Sequence, residues 1–124
     1  MSLSNIKTPY LLFLGDAADA LAAKTARGVA DFRPDWCVGQ YRLPGCQADL
    51  GLEEMSISEG VAAGAKTLLV GVANQGGFIP EHWTAVFQEA LDAGLDIASG
   101  LHARLADLPG LKDQADALGR QLIE

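Results

Sequence analysis

Strand-like runs that alternate with helix-like ones predict an α/β domain built on a parallel sheet. Three observations carry that prediction. Pro9 to Gly15 and Thr67 to Val72 are short and almost wholly apolar, with the length and composition of strands buried on both faces. Elsewhere apolar residues recur at helical spacing, most clearly at Trp83, Val86, Phe87, Ala90 and Leu91. A composition that is 49% hydrophobic but 6% aromatic leans the same way.

In chain order, Met1-Ser2-Leu3 reads as vector-derived, residues 1–8 as a lead and residues 9–124 as one domain. Pro9 to Gly15 is the first strand. Asp16 follows at an N-cap position, and Ala18, Leu21, Ala22, Thr25, Ala26 and Val29 mark the first helix. Arg33-Pro34-Asp35 is a turn, and Trp36 to Leu43 is a second strand in which Gln40 and Arg42 alternate with apolar residues. Pro44-Gly45 opens a loop that runs to about Leu52, and Glu53 to Met55 is either a short extra strand or an extended entry to the next helix. Ser56 and Glu59 have the spacing of a capping box ahead of a short helix that ends at Gly64 or Ala65.

Thr67 to Val72 breaks abruptly into Asn74-Gln75-Gly76-Gly77, after which Pro80 opens the third helix and Gly94 stops it. Leu95 to Ser99 is the fourth strand. Asp107 is placed to cap a last helix that turns Leu111, Ala115, Leu118 and Leu122 inward, although Gly119 would weaken it by about 1 kcal/mol relative to Ala. The chain stops at Glu124 inside that helix, which predicts a domain cut from a longer protein. The whole reads as a Rossmann-like, three-layer domain. Its parallel sheet has four main strands and a short fifth, with right-handed crossovers and helices on both faces.

Composition excludes several function classes. The 124 residues suffice for one domain, and 16 acidic against nine basic side chains give a net charge of −7. Nucleic-acid and anionic-membrane binding both call for a basic face that this balance disfavours. No apolar run approaches a membrane span, and Cys37 and Cys46 form no metal or redox motif, so a reducing cytoplasm is expected. His82 and His102 lack a second ligand at metal spacing, so no metal site is expected, and His82 reads as a surface residue.

In such a sheet the carboxyl ends of the strands share one edge, where ligands bind. That edge receives Gly15-Asp16, Gln40 to Gly45, Asn74-Gln75-Gly76-Gly77 and Ser99-Gly100-Leu101-His102. Glycine admits a close approach of ligand to backbone, and free N–H groups suit a carboxylate or phosphate. Each turn alone is weak, because βα turns need glycine anyway; together they favour a binding edge. His102 is either a proton donor or carboxylate partner, or a structural residue bonded to a loop carbonyl. Lys24 and Arg27 read first as a solvated basic patch, whereas Arg42 is placed to pair with a substrate carboxylate. The dinucleotide fingerprint G-x-G-x-x-G is absent, since the first turn reads Gly15-Asp16-Ala17-Ala18-Asp19-Ala20. No receiver-type aspartate ends the third main strand, and no Walker A loop occurs.

Gly15-Asp16 with Lys24 to Gly28, Val70 to Pro80 and Ala98 to Asp107 together resemble the N-terminal, Rossmann-like domain of a two-domain bacterial family. That family, long of unknown function and often labelled NAD-dependent epimerase/dehydratase-like, has a branch described as D-glutamate N-acetyltransferase. The resemblance implies acetyl-CoA as co-substrate and a C-terminal phosphate-loop domain beyond residue 124. It also implies a cleft of which this edge is one wall.

The leading expectation is therefore the N-terminal domain of an N-acetyltransferase for D-glutamate or a similar acidic amino acid, inactive by itself. Asp16 and His102 are the candidate bases. Arg42, Lys24, Asn74, Gln75, Gly76, Gly77, Ser99 and Gly100 are candidate substrate groups, and Gly15 and Asp16 candidate cofactor contacts. Two alternatives stand beside it. One is an NAD(P)-linked oxidoreductase or epimerase domain. The other is a non-catalytic assembly domain that uses Trp83 and Phe87 as an apolar face. A homo-oligomer is expected.

Overall fold

Six consecutive buried residues, Tyr10–Gly15, form β1, the strand on which the sheet is assembled. The computed structural model describes residues 5–73, 78–101 and 103–124. In order, its elements are β1, α1 (Lys24–Phe32), β2 (Cys37–Arg42), α2 (Ile57–Ala62), β3 (Thr67–Val70), α3 (Glu81–Asp92), β4 (Asp96–Ser99), α4 (Leu111–Leu118) and β5 (Leu122–Ile123). Short 3-10 turns at Leu21–Ala23, Pro34–Trp36 and Leu105–Asp107 join them. The sheet order is β2-β1-β3-β4-β5, and every pairing is parallel. The connections from β1 and β3 leave in opposite directions across the sheet, which opens a crevice outside their carboxyl ends.

Register assigns the faces. Leu11 pairs with Leu68 and Phe13 with Val70, so these four share one face. On it, Phe13 meets Trp83 and Phe87 of α3 edge-on, with ring centroids 5.3 and 5.5 Å apart, and Gly60 of α2 lies against Leu11. Tyr10, Leu12 and Leu14 alternate to the other face, which α1 covers. There α1 rests almost on the backbone where β3 ends. Ala26 N–H donates to Gly71 C=O and Ala73 N–H to Ala22 C=O. A Cβ on Gly71 would lie 2.8 Å from Ala26 Cα.

Local signals account for most boundaries. Ser56 and Glu59 form both bonds of the capping box, and Gly64 and Gly94 take positive φ just past the ends of α2 and α3. Several expectations are corrected. Asp16 does not cap the first helix, because the chain continues through a turn in which Asp19 accepts the Ala22 N–H instead, and the α-helix begins only at Lys24. Asp107 likewise does not cap the last helix; it ends a 3-10 turn, and α4 starts at Leu111 after Gly110 in the left-handed region.

The last helix also stops earlier than expected. Gly119 takes φ +70° and ends it, and Leu122–Ile123 then pairs with Ile97 and Ala98 as the fifth strand. Buried Asp96 secures that edge by accepting the Gln121 N–H at 2.9 Å. Of the two readings of Glu53 to Met55, the extended entry holds: the segment contributes only an isolated bridge between Glu54 and Gln40.

Trp83 and Phe87 have no exposed surface, so the expected apolar assembly face on α3 is instead the seam between helix and sheet.

Gly71→Ala is predicted to destabilise the chain by about 1–3 kcal/mol, because α1 must lift off β3. Gly28→Ala, in open space within α1, is predicted to stabilise it by about 0.5–1 kcal/mol. Urea unfolding of the two variants checks both signs.

Candidate functional site

The crevice between β1 and β3 is closed on one side by the first turn of α3. Trp83 follows from the apolar stripe of that helix and is driven under it by burial of its indole. The indole occupies the room left by the missing side chain of Gly15: a Cβ there would sit 2.8 Å from Trp83 Cζ2. Gly15 also takes φ +56°, which turns the chain out of β1. Its glycine character thus serves the close packing of α3 on β1.

Asp16 stands at the crevice with both carboxylate oxygens engaged. Trp83 Nε1–H donates to Oδ1 at 2.9 Å, and His82 Nε2 lies 2.8 Å from Oδ2. Burial pushes the Asp16 carboxyl up, but the bonds from Trp83 and His82 outweigh it and hold the group below its ordinary value. The His82 side chain is 57% exposed and that of Asp16 35%.

The cations expected at the edge differ in how far they are already neutralised. Arg42 is bonded to Glu54, lies 3.7 Å from Asp49 and donates to Ala48 C=O at 3.2 Å. Fully buried Gln40 supports this knot: its Nε2 donates to Asp49 and Glu54, and its Oε1 accepts the Leu50 N–H. The loop that this fixes, with Arg42 and Glu54, lines a pocket of about 410 Å³ that includes Leu43, Pro44, Gly45 and Cys46.

Lys24 is exposed at the start of α1, between Ala22 and Ala26, both of which bond the chain leaving β3. Among the described residues it has no ion pair. Arg27 pairs with Asp31 at 3.6 Å and donates to Asp49 C=O.

Ser99 ends β4 almost fully buried, and its hydroxyl accepts the Leu101 N–H at 3.1 Å, while Gly100 is exposed. Three strand spacings, roughly 14 Å, separate β2 from β4. Arg42 and Ser99 therefore flank the edge from opposite sides and do not converge on one small molecule. Asn74, Gln75, Gly76, Gly77 and His102 lie outside the described residues.

The first turn does not fit a dinucleotide pyrophosphate. Asp16 and Asp19 place two carboxylates there, and Asp19 already takes the Ala22 N–H at the head of the helical segment. Among the described residues no group of three metal-ligating side chains occurs, and no helix is long and apolar enough to cross a membrane.

Residues 41–124 match the family model described as "Domain of unknown function (DUF1611_N) Rossmann-like domain". The chain belongs to this family. Among curated relatives of this DUF1611_N chain, a D-glutamate N-acetyltransferase from Tritonibacter scottomollicae is 60% identical over 117 residues, 94% of this chain and 35% of the relative. A protein of the same name from a Pseudoalteromonas species is 44% identical over 119 residues, 96% of this chain and 36% of the relative. The chain thus spans about a third of the length of the curated relatives it matches.

Among solved structures, a DUF1611 family protein from Anabaena variabilis superposes with a TM-score of 0.71 at 21% identity, over 94% of this chain and 36% of that one. An NAD-binding protein from Listeria innocua superposes at 0.57 and 17% identity, over 94% of this chain and 34% of that one. Both likenesses speak for the fold.

The sequence reading of His82 as a surface residue agrees with its 57% exposure, but its bond to Asp16, 66 residues away, was not read from the sequence. The available signal was its place in the first turn after Pro80, at the carboxyl edge and next to a tryptophan that must bury an N–H.

Asp16 contributes stability that is complete above the unfolded carboxyl pKa of about 3.9 and is lost as pH falls through its lower folded value. The stability difference between the wild-type chain and Asp16→Asn is predicted to be largest near neutrality and to shrink below about pH 4. Urea unfolding at several pH values checks it, and a pH-independent difference counts against the carboxylate's role.

Proposed function

We propose that this chain forms one wall of the cleft of an acetyl-CoA-dependent N-acetyltransferase that acts on D-glutamate or a similar acidic amino acid. The observation that carries this reading is the 60% identity, over 94% of the chain, to a protein named D-glutamate N-acetyltransferase. Two features of the site support it. Lys24 is exposed and without an ion pair among the described residues, at the rim of the crevice, so it is the cation available to a substrate carboxylate. Arg42 would have to give up Glu54 and Asp49 first, so its part is to hold the loop beside the pocket.

Amide formation requires that the substrate ammonium lose a proton, and the crevice holds Asp16 and His82 for that work. The described edge offers little to the phosphates of CoA, because the first turn is acidic. In this reading those phosphates rest on the rest of the protein, beyond residue 124. The same acidic turn counts against an NAD(P)-linked reading.

In full-length protein supplied with D-glutamate and acetyl-CoA, the expected result is release of free thiol coupled to N-acetyl-D-glutamate. Lys24→Ala is expected to raise KM for D-glutamate about tenfold, the loss of one charge-assisted contact worth roughly 1.5 kcal/mol. Thiol release that does not depend on D-glutamate or another acidic amino acid would sink the reading.

A further inference from the structure

We propose that His82 is a catalytic residue of this site, the acceptor of the substrate's amine proton, and that Asp16 is its positioning residue. The proposal rests on the N-acetyltransferase reading and adds a group that sequence reasoning had set aside.

The hydrogen bonds decide between the two candidates. Asp16 is committed on both sides, to the buried indole N–H of Trp83 at 2.9 Å and to His82 Nε2 at 2.8 Å. Trp83 is fully buried against Phe13 and Gly15, so the carboxylate is anchored to the core through it. A carboxylate so placed orients the imidazole. With the Nε2 hydrogen directed at Asp16 Oδ2, the other ring nitrogen, Nδ1, keeps its lone pair. The ring is 57% exposed and stands at the crevice between β1 and β3, where a ligand can reach it. A base held by a third group that is itself fixed is the arrangement on which proton transfer to a side chain commonly depends.

Magnitudes favour the imidazole as well. Imidazole as a side-chain type is a stronger base than a carboxylate by roughly two pH units or more, so an ammonium proton passes to it more readily. Among the described residues Asp16 is the ionisable group in contact with His82, and exposed Glu81 precedes it on α3.

In the transfer His82 Nδ1 takes one proton from the substrate ammonium. The freed lone pair forms the C–N bond to the acyl carbon of the thioester as the C–S bond breaks. The second proton of the amine nitrogen goes to the departing thiolate, and the imidazolium releases its own to solvent.

The test uses full-length protein with D-glutamate and acetyl-CoA, and compares wild type, His82→Gln, His82→Ala and Asp16→Asn by kcat, KM and pH profile. Both His82 variants are expected to lose at least about 100-fold in kcat with KM for D-glutamate changed less than about threefold. Their residual activity is expected to rise with pH until the amine deprotonates unaided. Asp16→Asn is expected to lower kcat and displace the acidic limb of the profile while His82 remains. Wild-type activity that His82→Gln retains, with an unaltered pH profile, overturns the proposal alone. A wild-type protein with no transferase activity overturns the reading beneath it and the proposal together.

Discussion

The buried indole of Trp83 is the contact on which both the core and the site depend. Its ring packs edge-on against Phe13 at 5.3 Å and fills the space that Gly15 leaves, which seats α3 on the central strand. A buried indole N–H without an acceptor would cost a few kcal/mol, and Asp16 Oδ1 supplies that acceptor at 2.9 Å. The same bond fixes the carboxylate whose other oxygen meets His82. Hydrophobic burial thus sets the geometry of a polar cluster at the crevice. A larger residue at position 15 would displace the indole and separate Asp16 from both of its partners.

On the other side of β1 the work is electrostatic. Gln40, fully buried, bonds Asp49, Glu54 and the Leu50 N–H, and Arg42 closes the loop by pairing with the same two acids. A buried amide leaves little penalty when every one of these groups has a partner. The loop after β2 also bonds back to the first turn through Leu43 N–H to Gly15 C=O and Gln47 N–H to Ala17 C=O. Both walls of the edge therefore converge on residues 15–17. In a chain with net charge −7, Lys24 stands exposed beside this edge and, among the described residues, without an ion pair.

Much of the fold was legible in the sequence because its signals are local. Apolar runs of strand length, the Ser56/Glu59 box and the stops at Gly64 and Gly94 each act within a few residues of where they stand. Where a signal competed with tertiary contacts, the reading went astray. Asp16 had the residue type of an N-cap but was drawn to Trp83 and His82, 67 and 66 residues away. Leu122 continued a helical stripe, yet Gly119 in the left-handed region ended α4 and pairing with β4 made Leu122 part of a strand.

The sequence by itself determined the class of scaffold and the placement of Gly15, Asp16, Arg42 and Ser99 at the carboxyl edge of its sheet. Strand hydrophobicity and helical periodicity are properties of short segments, so no distant contact is needed to read them. Only the tertiary structure decided which of these groups remain available. It put Ser99's hydroxyl on the Leu101 N–H and tied Arg42 into a knot with Glu54 and Asp49. It left Lys24 exposed and brought His82 to Asp16. The physical reason is that a side chain's charge and hydrogen-bonding capacity are spent on whatever the fold sets beside it, and the fold sets residues from different βα units side by side.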